Sequence, residues 1–108
     1  MTLDEYQNNC ICTAVYPAEL GILYTSLGLC SEAGEVADKI KKSIRDKAGD
    51  LDEADLEGLS KELGDVMWYV STLAHELGLS LNAVAEKNLD KLRSRAERNV
   101  LAGSGDDR

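Results

Sequence analysis

Leu56, Leu59, Leu63, Val66, Val70, Leu73 and Leu77 recur at alternating spacings of three and four residues, the period with which one face of an α-helix repeats. A helix with such a stripe must lay it against another apolar surface. Gly78 follows as a stop, and Ser80 can cap a further helix whose apolar side is Leu81, Val84, Leu89, Leu92 and Ala96. Near the start, Thr2 and Glu5 have the spacing of a capping box, which predicts a first helix over Leu3 to Val15. Pro17 interrupts the pattern and suits the first turn of a second helix running to about Ala48, where Gly49 can close it in a left-handed conformation. Gly21, Gly28 and Gly34 are places where this long helix can bend. No segment alternates as a strand does, so the expected fold is all-α, a four-helix bundle or a closely related packing.

A chain of 108 residues is one domain in size. The helical domain is expected over 1–101. The tail 102–108 holds two glycines, a serine and two aspartates, too few apolar groups to repay the entropy of ordering unless a ligand or partner holds it. Apolar residues make up 44% of the chain but fall in short runs, which excludes a spanning helix. Asp4 and Glu5 stand where a secretory signal would be basic and then apolar, so a cytoplasmic location is expected. Cys10, Cys12 and Cys30 are odd in number and lack C-x-x-C spacing, and are read as small buried apolar residues. A net charge of −8 argues against a nucleic-acid surface. A polyphosphate ligand would need a cation as mediator.

The chemistry lies in a repeat. Gly28-Leu29-Cys30-Ser31-Glu32-Ala33-Gly34-Glu35-Val36 and Gly58-Leu59-Ser60-Lys61-Glu62-Leu63-Gly64-Asp65-Val66 agree at five of nine positions, with Glu35 matched by Asp65. Each copy puts two carboxylates one helical turn apart, where like charges repel. Each also carries a mid-helix glycine, which costs about 1 kcal/mol relative to alanine. A divalent ion turns repelling carboxylates into shared ligands, and a small residue admits close approach by a helix or ligand. Oxygen ligands without Cys or His favour magnesium or manganese over zinc. The alternative is that Glu32, Glu35, Glu62 and Asp65 are solvated charges flanking apolar stripes. A di-iron site would want Glu-x-x-His on two helices, and the one histidine, His75, has Thr72 three residues before it.

With Glu-x-x-Glu, a 26-residue spacer and Glu-x-x-Asp, the chain resembles the MazG-like branch of the all-α nucleoside triphosphate pyrophosphohydrolases. Leu27-Gly28-Leu29, the run Leu63-Gly64-Asp65-Val66 with Trp68 and Tyr69, Asn88-x-x-Lys91-Leu92-x-x-Arg95 and the ending Gly103-Ser104-Gly105-Asp106-Asp107-Arg108 are similar to family features. The resemblance implies magnesium-dependent release of pyrophosphate, leaving a nucleoside monophosphate. It implies that Glu32, Glu35, Glu62 and Asp65 hold the ions, and that a homodimer or homotetramer completes the bundle.

Asn88, Lys91 and Arg95 share one helix face and are candidates for phosphate binding, or for pairing with Glu86 and Asp90. Lys39 can meet phosphate or pair with Glu35. Tyr69 is a substrate-binding candidate, Trp68 can stack on a base or line an interface, and Tyr24 can do likewise or pack in the core. The competing functions are a phosphoribosyl-ATP pyrophosphohydrolase and a non-catalytic acidic helical partner protein.

Overall fold

The computed structural model describes residues 1–108 and is all-helical. Helix α1 spans Leu3–Ile11, α2 Gly21–Lys47, α3 Glu53–Glu76 and α4 Leu81–Glu97, with a short 3-10 turn at Ala18–Leu20. The expected capping box forms: Glu5 N donates to Thr2 Oγ1, and Thr2 N to the Glu5 carboxylate, both at 3.0 Å. Helix α1 stops four residues short of the expected Val15. Thr13 turns its hydroxyl back onto the Cys10 carbonyl at 2.9 Å, a local bond that competes with helix continuation. Pro17 then holds Tyr16 out of the helical region. Pro17 itself precedes the 3-10 turn rather than opening α2, and Leu20 N donates to its carbonyl.

Helices α2 and α3 form a long hairpin. Ala48 and Gly49 both take positive φ, 55° and 85°, so the glycine expected to close α2 does so with an alanine beside it. Asp52 caps α3 reciprocally with Asp55, and Lys47 joins both carboxylates at 2.9 and 2.7 Å. These bonds fix the hairpin loop, and the lysine holds Asp52 down to about 2. The register is constant along the hairpin. Gly21 lies against Glu76, Gly28 against the Tyr69 ring and Gly58 against Lys39.

Helix α1 packs on α3 without touching α2 and ties the hairpin to α4. Gln7 is buried and donates to the carbonyls of Ser71 and Leu79 while accepting from Leu81 N. Ser80 caps α4 as expected, and its hydroxyl donates to Asp4, which also accepts from Asn82 N. Helix α4 touches α1 and the end of α3 but not α2, so one chain does not close a bundle. The tail folds back beside α4. Arg95 and Arg98 donate to the carbonyls of Asp106 and Arg108, and Arg108 donates to those of Val100, Leu101 and Gly105.

Little apolar surface is buried within the chain: Cys10, Ala74 and Leu81 are the buried hydrophobics. The stripe on α3 divides by heptad. Leu59, Val66 and Leu73 are half-buried, whereas Leu56, Leu63, Val70 and Leu77 are exposed. The radius of gyration, 16.8 Å, exceeds the roughly 13 Å of a compact domain of this length. None of the helices is long and apolar enough to cross a membrane.

Two outcomes follow. Gln7→Ala strands the Leu81 N–H and the Leu79 carbonyl, and urea unfolding should show a loss of about 2 kcal/mol or more. Gly28→Ala should shift Tyr69, because the added Cβ would overlap its ring; an unchanged environment for the Tyr69 ring by NMR would contradict the hairpin register.

Candidate functional site

The hairpin register sets Glu32 level with Asp65 and Glu35 level with Glu62. Carboxylate oxygens of Glu32, Glu62 and Asp65 lie within 4.8 Å of one another. Two of the three side chains are half-buried and Asp65 is exposed. Burial raises the Glu32 pKa above its ordinary value, and the charges of Asp65, Glu62 and Glu35 add to the shift. Three carboxylates so close, in a chain that folds them together without a matching number of cations, form a donor set suited to a hard divalent cation. Glu35 is exposed and outside the trio. Lys39 points to Glu62, with Nζ 3.4 Å from its carboxylate, rather than to Glu35.

Aromatic rings line one side. Tyr16 stacks on Tyr24 with centroids 5.0 Å apart, Tyr24 leans on Tyr69 at 6.3 Å, and Tyr69 meets Trp68 edge-on at 5.0 Å. Gly28 leaves the space for the Tyr69 ring. Burial, the Tyr24 hydroxyl and the Glu32 and Asp65 charges raise the Tyr69 pKa, so its phenol remains a hydrogen-bond donor through neutral pH. Tyr6, on α1, is pushed up to about 12 by burial, the Cys10 thiol and the Asp65 charge. A depression of about 330 Å³ is lined jointly by Thr13, Glu32, Asp65, Trp68 and Tyr69. It lies at the lower end of the roughly 300–1,000 Å³ of small-molecule sites.

The α4 candidates lie elsewhere. Asn88 and Lys91 are exposed and line a groove with Ser80, Val84 and Lys87 that shares no residue with the carboxylate depression. Arg95 is buried at 6% exposure, with its guanidinium on the Asp106 carbonyl and its Nε without a partner. Gly34 and Gly64 face open space within the chain, so nothing in the same chain makes the close approach that their cost suggests. Cys10 is buried as expected, whereas Cys12 and Cys30 are exposed, and His75 is exposed near the end of α3.

Thr13 and Tyr6 join the site although sequence reasoning did not single them out. Their positions depend on how α1 packs against α3, and no local pattern encodes that. Gly28 did carry a signal, since it heads the first copy of the repeat.

Residues 22–100 match the model of the MazG nucleotide pyrophosphohydrolase domain. The "Gene 37 protein" of Mycobacterium phage L5 is 46% identical over 114 aligned positions spanning the whole of both chains. No solved structure matches the chain. With four helices, no strands and a domain match over most of its length, this chain belongs to the MazG family of nucleotide pyrophosphohydrolases, hydrolases that act on acid anhydrides.

Proposed function

We propose that this chain hydrolyses nucleoside triphosphates to a nucleoside monophosphate and pyrophosphate, using magnesium, or manganese in its place. The observation that carries the reading is the convergence of Glu32, Glu62 and Asp65 within 4.8 Å. Carboxylate oxygens without imidazole or thiolate match magnesium, which keeps waters and takes substrate phosphates as further ligands. Glu35 is one turn from Glu32 and makes no ion pair, and this reading has it complete the set. When bound, the ion supplies charge neutralisation at the phosphate oxygens and a water of lowered pKa. Lys39 offsets part of the charge on Glu62, and the protonated Tyr69 phenol can donate to a phosphate or sugar oxygen. Asn88 and Lys91 offer an amide and a cation for phosphate. Arg95 can join them only when its side chain, 6% exposed, becomes accessible.

The same reading includes a homodimer or homotetramer. Leu56, Leu63, Val70 and Leu77 form an outward seam with seven-residue spacing, 37–55% exposed, the pattern with which helices pack against helices. Gly34 and Gly64 leave room on α2 and α3 for a second copy. Helix α4 has no contact with α2 of its own chain, which supports a reading in which Asn88 and Lys91 serve a neighbouring copy. Sedimentation should return at least a dimer, and Leu63→Lys should shift it toward monomer.

Incubation with a panel of ribo- and deoxyribonucleoside triphosphates should yield monophosphate and pyrophosphate only when magnesium is present. Diphosphate as product would mean attack at a different phosphorus. No turnover of any triphosphate would shift the assignment to phosphoribosyl-ATP or to a non-catalytic role. Glu35→Gln and Asp65→Asn should abolish turnover while circular dichroism stays helical.

The raised Glu32 pKa also sets a pH trend. The folded chain holds that proton more tightly than the unfolded chain, whose value is near 4.5. In chelator, this group's contribution to stability therefore falls as pH rises through the window above 4.5. Urea titrations across that window should show a smaller fall for Glu32→Gln than for the wild type.

A further inference from the structure

Trp68 is the only tryptophan in the chain, and it stands beside the carboxylates with its hydrogen-bonding capacity already used. Its indole Nε1 donates to Thr13 Oγ1 at 2.8 Å, and that hydroxyl donates onward to the Cys10 carbonyl at 2.9 Å. An indole has one donor and no acceptor. Its N–H therefore goes to the protein, and what Trp68 can offer a ligand is ring surface. The T-shaped contact with Tyr69 constrains the ring from a second direction. Thr13 lies just beyond α1 and Trp68 on α3, so the bond joins two elements at the depression that also contains Glu32 and Asp65.

We infer that Thr13 is a positioning residue that fixes the Trp68 ring as the wall on which the nucleobase of the substrate rests, beside the carboxylates that serve its phosphates. The inference rests on the proposed hydrolysis of nucleotides and adds how the base is held. A ring presented without a donor selects a flat aromatic ligand by its face and does not read the hydrogen-bonding edge of the base. Binding follows stacking area, so purine nucleotides bind ahead of pyrimidine nucleotides, and the base contributes to affinity separately from the phosphates. Stacking of a base on an aromatic side chain is worth roughly ten-fold or more in affinity.

The lone tryptophan makes the test direct. With magnesium present, AMP, UMP, ribose 5-phosphate and inorganic tripolyphosphate are titrated while Trp68 emission is followed, with calorimetry in parallel. AMP should alter the emission and bind about ten-fold more tightly than ribose 5-phosphate, with UMP between them. Thr13→Val keeps the shape of the side chain and removes the hydroxyl. It should weaken AMP about five-fold, the net worth of one neutral hydrogen bond, leave tripolyphosphate unchanged, and be reversed by Thr13→Ser. If Thr13→Val fails to fold, Trp68→Phe keeps a ring without the N–H, and calorimetry should show a similar loss for AMP alone. Equal binding of AMP and ribose 5-phosphate, with tripolyphosphate still bound, would overturn the base wall and leave the hydrolytic reading standing. UMP binding as tightly as AMP would overturn recognition by the ring face. Equal weakening of AMP and tripolyphosphate in Thr13→Val, or no weakening of AMP in either variant, would remove Thr13 from the positioning role. If neither AMP nor tripolyphosphate bound, both the inference and the reading beneath it would fall.

Discussion

The register of the α2–α3 hairpin is the constraint on which the rest of the molecule depends. It brings Glu32 of one helix beside Glu62 and Asp65 of the other, a placement that on electrostatic grounds alone is unfavourable. What holds the register is unrelated to those charges. Lys47 bridges Asp52 and Asp55 at the loop, the Tyr69 ring fills the space over Gly28, and the Glu76 carboxylate lies against Gly21 at the far end. Tyr16 donates its hydroxyl to Glu76 from the segment between α1 and α2, so the end of the hairpin is closed from outside as well. The carboxylates are thus forced together by contacts that range from one turn away, at Gly28 and Tyr69, to the two ends of the hairpin.

The same hairpin is poorly covered. Leu59, Val66 and Leu73 of α3 are half-buried, while the outward heptad Leu56, Leu63, Val70 and Leu77 stays 37–55% exposed. Gln7 and Asp4 attach α1 and α4 chiefly through polar bonds at one end. A domain whose buried set includes Thr25, Ser43, Ser71, Thr72 and Arg95 but few large hydrophobics draws little stability from burial within one chain. A second copy on the exposed seam would supply what is missing.

How much of this was legible in the sequence follows from how local each feature is. The four helices were legible because periodicity and caps act over a few residues, as Thr2 and Ser80 show. The carboxylates were legible because a repeat with two charges one turn apart and a costly glycine calls for an explanation at any fold. The end of α1 was misplaced, because the Thr13 hydroxyl and Pro17 act together there and periodicity runs on past both. Thr13 and Tyr6 were invisible, since only the packing of α1 against α3 brings them to Trp68 and Asp65. The spacing of Arg95 suggested phosphate binding or pairing with an acid, whereas the side chain is buried with one N–H on a backbone carbonyl eleven residues later, and backbone carbonyls leave no trace in a side-chain pattern.

The central claim is that the clustered carboxylates are a divalent-cation site rather than a solvated face. Thermal melting of the wild type and of Glu32→Gln, each in chelator and then in magnesium, tests it most directly. The account predicts that magnesium raises the melting temperature of the wild type, as any ligand of the native state must. It also predicts that Glu32→Gln melts no lower than the wild type in chelator, with its repulsion relieved, and gains little from magnesium. A wild type indifferent to magnesium, or a Glu32→Gln variant that is destabilised in chelator and still responds to the ion, would contradict it.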